Sequence, residues 1–449
     1  MSDARQGLVI THGHFYQPPR ENPWTGQVDA EPSAAPEHDW NVRVTKETYL
    51  PLVSVEGVPV YEYLSFDFGA TLLDWMEREA PEIHAAVIRA DRASVKRLGH
   101  GNALAMPFHH IILPLASRRD KETEVRWGIA DFKKRFGRDP VGFWLPETAV
   151  DRETLDVVAA EGIAFTVLAP HQVSKPPERG LPAKVELNDG RSIAVFVYNG
   201  ALSHDVAFGG LASDANRWAD ALNGTPPGAI TSIAVDGETF GHHHKGGDKG
   251  LATVLSRLQR SDKLALTNFA AALAAHPAAE TVNIIEPTSW SCAHGVERWR
   301  SNCGDRIEQS VPPHQEWRAP LRAAIDWLAA EVHGIYERDG RDLPGGPWAF
   351  RDAAGAIGPP PPPPPPVNGN GDAGRLIEME RDVLRSMSSC GWFFDDIAGI
   401  EARQVLRYAA HAIALAGAES ARLEAGFIEK LGDDRNVDVF RQTLQPTPS

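Results

Sequence analysis

The chain has 449 residues, 42% hydrophobic and 23% charged, a globular composition long enough to bury a large core in two or three domains. Asp and Glu number 60 against 45 Lys and Arg, and the formal charge of −15 opposes a phosphate backbone, which argues against a nucleic-acid partner. Three cysteines give no disulfide framework and no CxxC pair, and no window reads as a secretion leader or a membrane span; the expectation is a cytoplasmic protein with no membrane partner.

Short apolar runs alternate with amphipathic stretches through the first 285 residues. Strands are expected at residues 8–11, 62–66, 141–143, 164–168, 193–197, 232–235 and 282–285. Between them, helical patterns cover 71–90, 122–136, 152–161 and 249–260, the third with Asp151 as N-cap and Gly162 just past its end. Such alternation implies a parallel α/β architecture, and its repetition fits a closed barrel better than an open sheet. From about Glu316 the apolar spacing becomes three and four, over 317–336, 376–387 and 397–418, which predicts a helix-rich region. Pro359–Pro366 is an unbroken proline tract running into Val367-Asn368-Gly369-Asn370-Gly371. Eight residues of polyproline II span roughly 25 Å, so 359–374 reads as a linker or surface insertion. The expected organisation is a barrel over 1–300, a helical region over 301–358, the linker, and a helical region over 375–449.

Polar residues gather where strands end. Thr11-His12-Gly13-His14 follows the first, Trp144-Leu145-Pro146-Glu147 the one at 141–143, and Asp236-Gly237-Glu238 through His244 the one at 232–235. Parallel barrels place reacting groups there because side chains converge on one open face. Glu147 either caps the following helix or serves chemistry, and Asp151 already offers the cap. Asp236 leaves a buried run, where desolvation raises a carboxyl pKa and suits a general acid, although Asp-Gly is also a turn pair. Two carboxylates facing one pocket are the minimal apparatus for cleaving a glycosidic bond. Aromatic and polar groups between Trp290 and Trp317, with His294 among them, are candidates to contact sugar. The histidines leave open a metal-dependent deacetylase or mannosidase on a related barrel, and the helical region with the proline tract leaves open a carbohydrate-binding protein without catalysis. No HExxH is present, and adjacent histidines project in different directions.

His14-Phe15-Tyr16-Gln17-Pro18, the run Gly99–Ala105 with His110, Trp144–Glu147 and Asp236–His242 resemble, in order, the first four signature regions of glycoside hydrolase family 57. With Ser289–His294 and Cys390–Asp396, the whole chain resembles an uncharacterised bacterial branch carrying an extra helical domain. The resemblance implies a (β/α)7 barrel followed by helices, and a retaining mechanism without metal or cofactor on α-linked oligo- or polysaccharides. It makes Glu147 the nucleophile and Asp236 the general acid/base. It puts His14, Gln17, His110 and His242 at or beside sugar-contacting positions; with His12, His100, Asn102, Trp144, Glu238, Trp290 and His294 from the residues themselves, they make the expected substrate-binding set. Tyr16-Gln17-Pro18 stands where the family usually has His-Gln-Pro.

Overall fold

β1 (Gly7–Phe15) is buried along its whole length, as a strand is when it has neighbours on both edges and both faces are covered. It pairs in parallel with β7 (Ile230–Asp236), from Leu8↔Ile230 to His14↔Asp236. On its other edge β8 (Leu264–Leu266) meets its first residues, and β2 (Ser65–Phe68) its last, from His12↔Ser65 to Phe15↔Phe68. The path continues from β2 to β3 (Ala103–Leu104), then by a bridge from Ala105 to Phe143. Gly142 bridges Phe165 at the start of β4 (Phe165–Leu168), and β4 pairs with β6 (Ser192–Val197). Just past β6, the Asn199 N–H donates to the Ser232 carbonyl of β7 at 2.7 Å and closes the ring. The parallel segments around this core are β1, β2, β3, residues 142–143, β4, β6 and β7, the expected (β/α)7 arrangement. The antiparallel β5 (Ala183–Glu186) and then β9 (Glu280–Thr281) extend outward from β6.

The structure, a computed structural model, describes residues 6–307, 315–354 and 371–444. The tract Pro359–Pro366 lies outside these residues. Among them, no helix is long and apolar enough to cross a membrane.

The chain packs as two units. One comprises Met1–Gln17, Ala30–Met106 and Phe132–Glu286; the other comprises Pro18–Asp29, Pro107–Asp131 and Pro287–Ser449. The sequence implies a contiguous barrel over 1–300, whereas residues 18–29, 107–131 and 287–300 within that span pack with the C-terminal helices. The reason lies in long-range contacts of the second unit. Arg351, fully buried, reaches Asp120 at 3.0 Å and Glu380 at 2.6 Å, and Trp127 donates its indole N–H to the Arg351 carbonyl at 2.9 Å. The helices of this unit, Arg318–Asp339, Pro347–Ala354, Gly371–Arg385, Ile400–Leu415, Ser420–Leu431 and Asp434–Arg441, bear out the helix-rich reading. The linker expected over 359–374 gives way to this helical structure at Gly371.

Local chemistry accounts for the other differences. The stretch 71–90 is two helices, Ala70–Glu79 and Pro81–Leu98, because Pro81 has no N–H to offer and takes the first position of the second. β2 begins only at Ser65, since Val60–Tyr63 forms a helical turn. Residues 282–285 form no strand; Ile284 merely bridges Val173.

Candidate active site

Parallel register brings Asp67, His14 and Asp236 side by side at the carboxyl ends of β2, β1 and β7. Partners in register point to the same face of a sheet, so these three side chains share one mouth of the ring. Asp67, fully buried, holds both histidines of β1: its Oδ1 lies 2.9 Å from His12 Nε2 and its Oδ2 2.6 Å from His14 Nδ1. The second nitrogen of His12 faces Ser65 Oγ at 3.1 Å. The indole of Trp144, also fully buried, stacks on His12 at 4.7 Å and on His14 at 5.4 Å.

These neighbours set the charges. Burial opposes protonation of His14, but Asp67, and then Asp236 and Glu238, outweigh it and hold the imidazole at about 9. For His12 burial prevails over Asp67, and its pKa falls below the ordinary value. Burial would raise Asp67, yet the two histidines keep its carboxyl below the usual range. Asp236 is the exposed residue in the otherwise buried run 232–239, so a ligand can reach its carboxyl. The protein crowding around that carboxyl still raises its pKa; His14 opposes the rise and Asp67 adds to it. Tyr198, buried just beyond β6, has its phenol pushed up by burial and then by Asp236.

The residue after Asp236 has to be glycine for packing reasons beyond turn chemistry. A Cβ on Gly237 would stand 2.1 Å from Cε1 of Phe15. Next, Glu238 is buried and pushed up to about 7, by desolvation and then by Asp236, against the hydrogen bond it accepts from the Tyr49 phenol. Tyr49 also meets the Gln17 side chain. The support comes from the π-helical turn Thr45–Tyr49, closed by Leu50 N–H donating to Thr45 O at 2.9 Å. Its last three residues engage the loop after β7. Glu47 binds the His242 ring, Thr48 Oγ1 accepts the His242 N–H at 2.9 Å, and Tyr49 donates to Glu238. His244 turns elsewhere, to the Ala207 carbonyl at 2.6 Å.

Glu147 is half-buried on the turn Pro146–Thr148, three residues beyond Trp144. Its φ is +57° and that of Thr148 is +48°, so two successive residues with side chains occupy the left-handed region. Each costs on the order of 1 kcal/mol, and such strain persists only where the surroundings enforce it. Here the buried Gln172 donates to the Thr148 carbonyl at 2.7 Å and accepts the Ala169 N–H at 2.8 Å. Glu147 is not the helix cap: Asp151 Oδ1 accepts the Thr154 N–H at 2.7 Å and fills that role.

Of the expected set, His12, His14, Gln17, Trp144, Glu238 and His242 therefore join Asp236 in one network in the first unit. Asn102 and His100 do not. Asn102 precedes β3 at the level of Ser65, and its amide bonds the carbonyls of Tyr61 and Glu62 and the side chain of Asn268. The His100 carbonyl accepts from that same Asn268 at 2.9 Å. His110, Trp290 and His294 belong to the second unit, where His110 is buried with its Nδ1 2.7 Å from Ser389 Oγ. Sequence reasoning missed Asp67, Tyr49, Glu47 and Tyr198. Asp67 had a signal, a carboxylate alternating with Phe66 and Phe68, but the expected strand stopped one residue short of it. The others follow no motif.

Residues 41–285, more than half of the chain, match the model of "Glycosyl hydrolase family 57". Residues 314–357 and 368–442 match a "Domain of unknown function (DUF3536)". "Alpha-amylase 1" of Dictyoglomus thermophilum is 25% identical over 127 residues, 28% of this chain and 18% of that protein, so the match spans under a fifth of the curated relative. Among solved structures, an exo-type maltose-forming amylase from Pyrococcus sp. ST04 superposes with a TM-score of 0.71 at 15% identity, over 97% of this chain and 82% of its own. A branching enzyme from Pyrococcus horikoshii superposes with a TM-score of 0.60 at 17% identity, over 97% and 94%. At these identities the two structures establish a shared fold.

Proposed function

We infer the reaction from one premise: the chain belongs to glycosyl hydrolase family 57. The reading is a retaining enzyme that acts on α-linked glucans, by hydrolysis or by transfer to another sugar. Glu147 attacks the anomeric carbon while Asp236 protonates the departing glycosidic oxygen. The bond from Glu147 to the sugar forms as the bond to the leaving oxygen breaks, and Asp236 then deprotonates the water or sugar hydroxyl that releases the glycosyl-enzyme. The observation that carries this reading is the register of His14 between Asp67 and Asp236. An Asp236 carboxyl raised by its surroundings keeps a proton to give, and the imidazolium at its side stabilises the carboxylate left behind. Trp144, fully buried and stacked against that imidazole, fixes the plane of His14, and the strained turn beyond it carries Glu147. The names of the relatives, amylases and a branching enzyme, support α-glucan as the substrate and leave water or sugar as the acceptor. A reducing cytoplasm suits three cysteines of which none is in a disulfide.

The test is product analysis on a panel of α-glucans with the wild type, Glu147→Ala and Asp236→Asn. Wild type shortens or redistributes chains, both variants lose at least about a thousandfold, and azide restores Glu147→Ala as a glycosyl azide of inverted configuration. Full activity in Glu147→Ala overturns the assignment.

A further inference from the structure

The loop that follows the barrel unit carries two short pairs, Cys292-Ala293-His294 and Cys303-Gly304-Asp305. Sequence reasoning found no disulfide framework and no CxxC pair among the cysteines and gave His294 to the substrate. In the structure the ligating atoms of Cys292, His294, Cys303 and Asp305 all lie within 4.8 Å of one another. All four belong to the second unit, whereas the network around Asp236 belongs to the first. We propose that these four side chains bind one zinc ion, which ties the two ends of the 292–305 loop together.

The donor set selects the metal. Two thiolates and an imidazole are soft or borderline ligands, unsuited to calcium or magnesium, and four ligands of this kind are the usual number at a closed tetrahedral zinc site. Zinc–sulfur bonds of about 2.3 Å and zinc–nitrogen or zinc–oxygen bonds of about 2.0–2.2 Å place tetrahedral ligands roughly 3.3–3.8 Å apart. His294 Nδ1 and Asp305 Oδ2 already stand at 3.5 Å. Small side-chain rotations bring the rest of the set into range.

The surroundings hold the ligands as a metal site requires. Asp305 Oδ2 accepts the Ala293 N–H at 3.1 Å, which links the two pairs through the backbone. Gly304, at φ +82°, turns the chain between Cys303 and Asp305. The buried Gln315 accepts the Gly304 N–H at 3.1 Å, donates to the Asp305 carbonyl at 2.8 Å and to Asp395 Oδ1 at 2.7 Å. Arg318, fully buried, directs a guanidinium N–H at Cys303 Sγ at 3.6 Å, a contact that favours a thiolate. The loop so closed contains Arg298, whose guanidinium lies 4.7 Å over the Phe393 ring, and Trp299, whose carbonyl accepts from Arg322 at 3.0 Å. It has little regular structure of its own beyond the turn Glu297–Trp299, and metal binding in such a segment is folding free energy.

The experiment uses the full chain, made in zinc-supplemented medium without a histidine tag and read by elemental analysis. One zinc per chain is expected. Cys292→Ser and Cys303→Ser each fall to about a tenth of that or less, while Cys390→Ser, which alters the remaining thiol, keeps its zinc. Loading wild type with cobalt in place of zinc produces the intense visible bands of a tetrahedral site and a thiolate charge-transfer band in the near ultraviolet. If a cysteine variant fails to fold, Asp305→Asn supplies the second measurement, with zinc affinity lowered about 10- to 100-fold in a folded protein. The proposal is overturned by wild type that takes up no zinc, by a cobalt spectrum lacking the thiolate band, or by a Cys292–Cys303 disulfide in protein purified from a reducing cytoplasm. None of these readouts depends on glycosidase activity.

Discussion

Replacing Asp67 with Asn tests the electrostatics of the site most directly. The carboxylate is fully buried and holds two imidazoles at 2.9 and 2.6 Å. Leaving a buried partner uncompensated costs about 3–5 kcal/mol, so Asp67→Asn is expected to be that much less stable near pH 6.5. The loss depends on pH in a calculable way. His14 titrates at about 9 against an ordinary 6.5, which corresponds to about 3 kcal/mol. Because its folded pKa is raised, this stabilisation is complete below pH 6.5 and disappears as pH rises through 9. Asp67 is ionised throughout that window and adds no slope of its own. His333, also held at about 9 against burial by Glu380 and Asp120, contributes the same slope to both proteins and cancels from the difference between them. The gap between wild type and Asp67→Asn should narrow by most of that 3 kcal/mol between pH 6.5 and 9.5. In thermal unfolding each kcal/mol moves Tm by about 2–4 °C for a unit of this size. Parallel Tm curves for the two proteins across that range refute the assignment of the His14 charge to Asp67.

Glu238, at about 7, changes charge near neutrality, and the pH profile of glucan turnover should carry a limb there that Glu238→Gln removes. Tyr49→Phe deletes a hydrogen bond to the ionised form and should move the same limb to higher pH; an unmoved limb assigns it to another group. Gly237→Ala forces a Cβ into the Phe15 ring and should cost about 1–3 kcal/mol in urea unfolding, partly recovered by Phe15→Leu. Asp151→Ala removes a helix cap at a cost of about 1 kcal/mol and should leave turnover unchanged, since Asp151 and Glu147 have separate roles.

Much of the fold was legible because burial writes itself into local pattern. The run from Leu8 to Ile10 and the run before Asp236 read as strands buried on both faces, and both became barrel strands. The helix after Asp151 could be bounded from its cap and from Gly162 alone. Short strands escaped: β3 has only two residues and β8 three, too few for a period to show. The break at Pro81 was visible as a proline and passed over because the apolar spacing continues across it.

By itself the sequence determined the longer buried strands, the order of the motifs at their ends, and thereby the family. Those properties follow from the polarity of neighbouring residues. The tertiary structure decided which side chains meet. Asp67 binds His14 because β2 lies in a particular register with β1, and Tyr49 reaches Glu238 because a π-helical turn stands beside the loop after β7. Cys292 and Cys303 acquired a common purpose only when the loop folded back on itself. Register and chain reversal depend on contacts between residues far apart in sequence, and local periodicity carries no record of them.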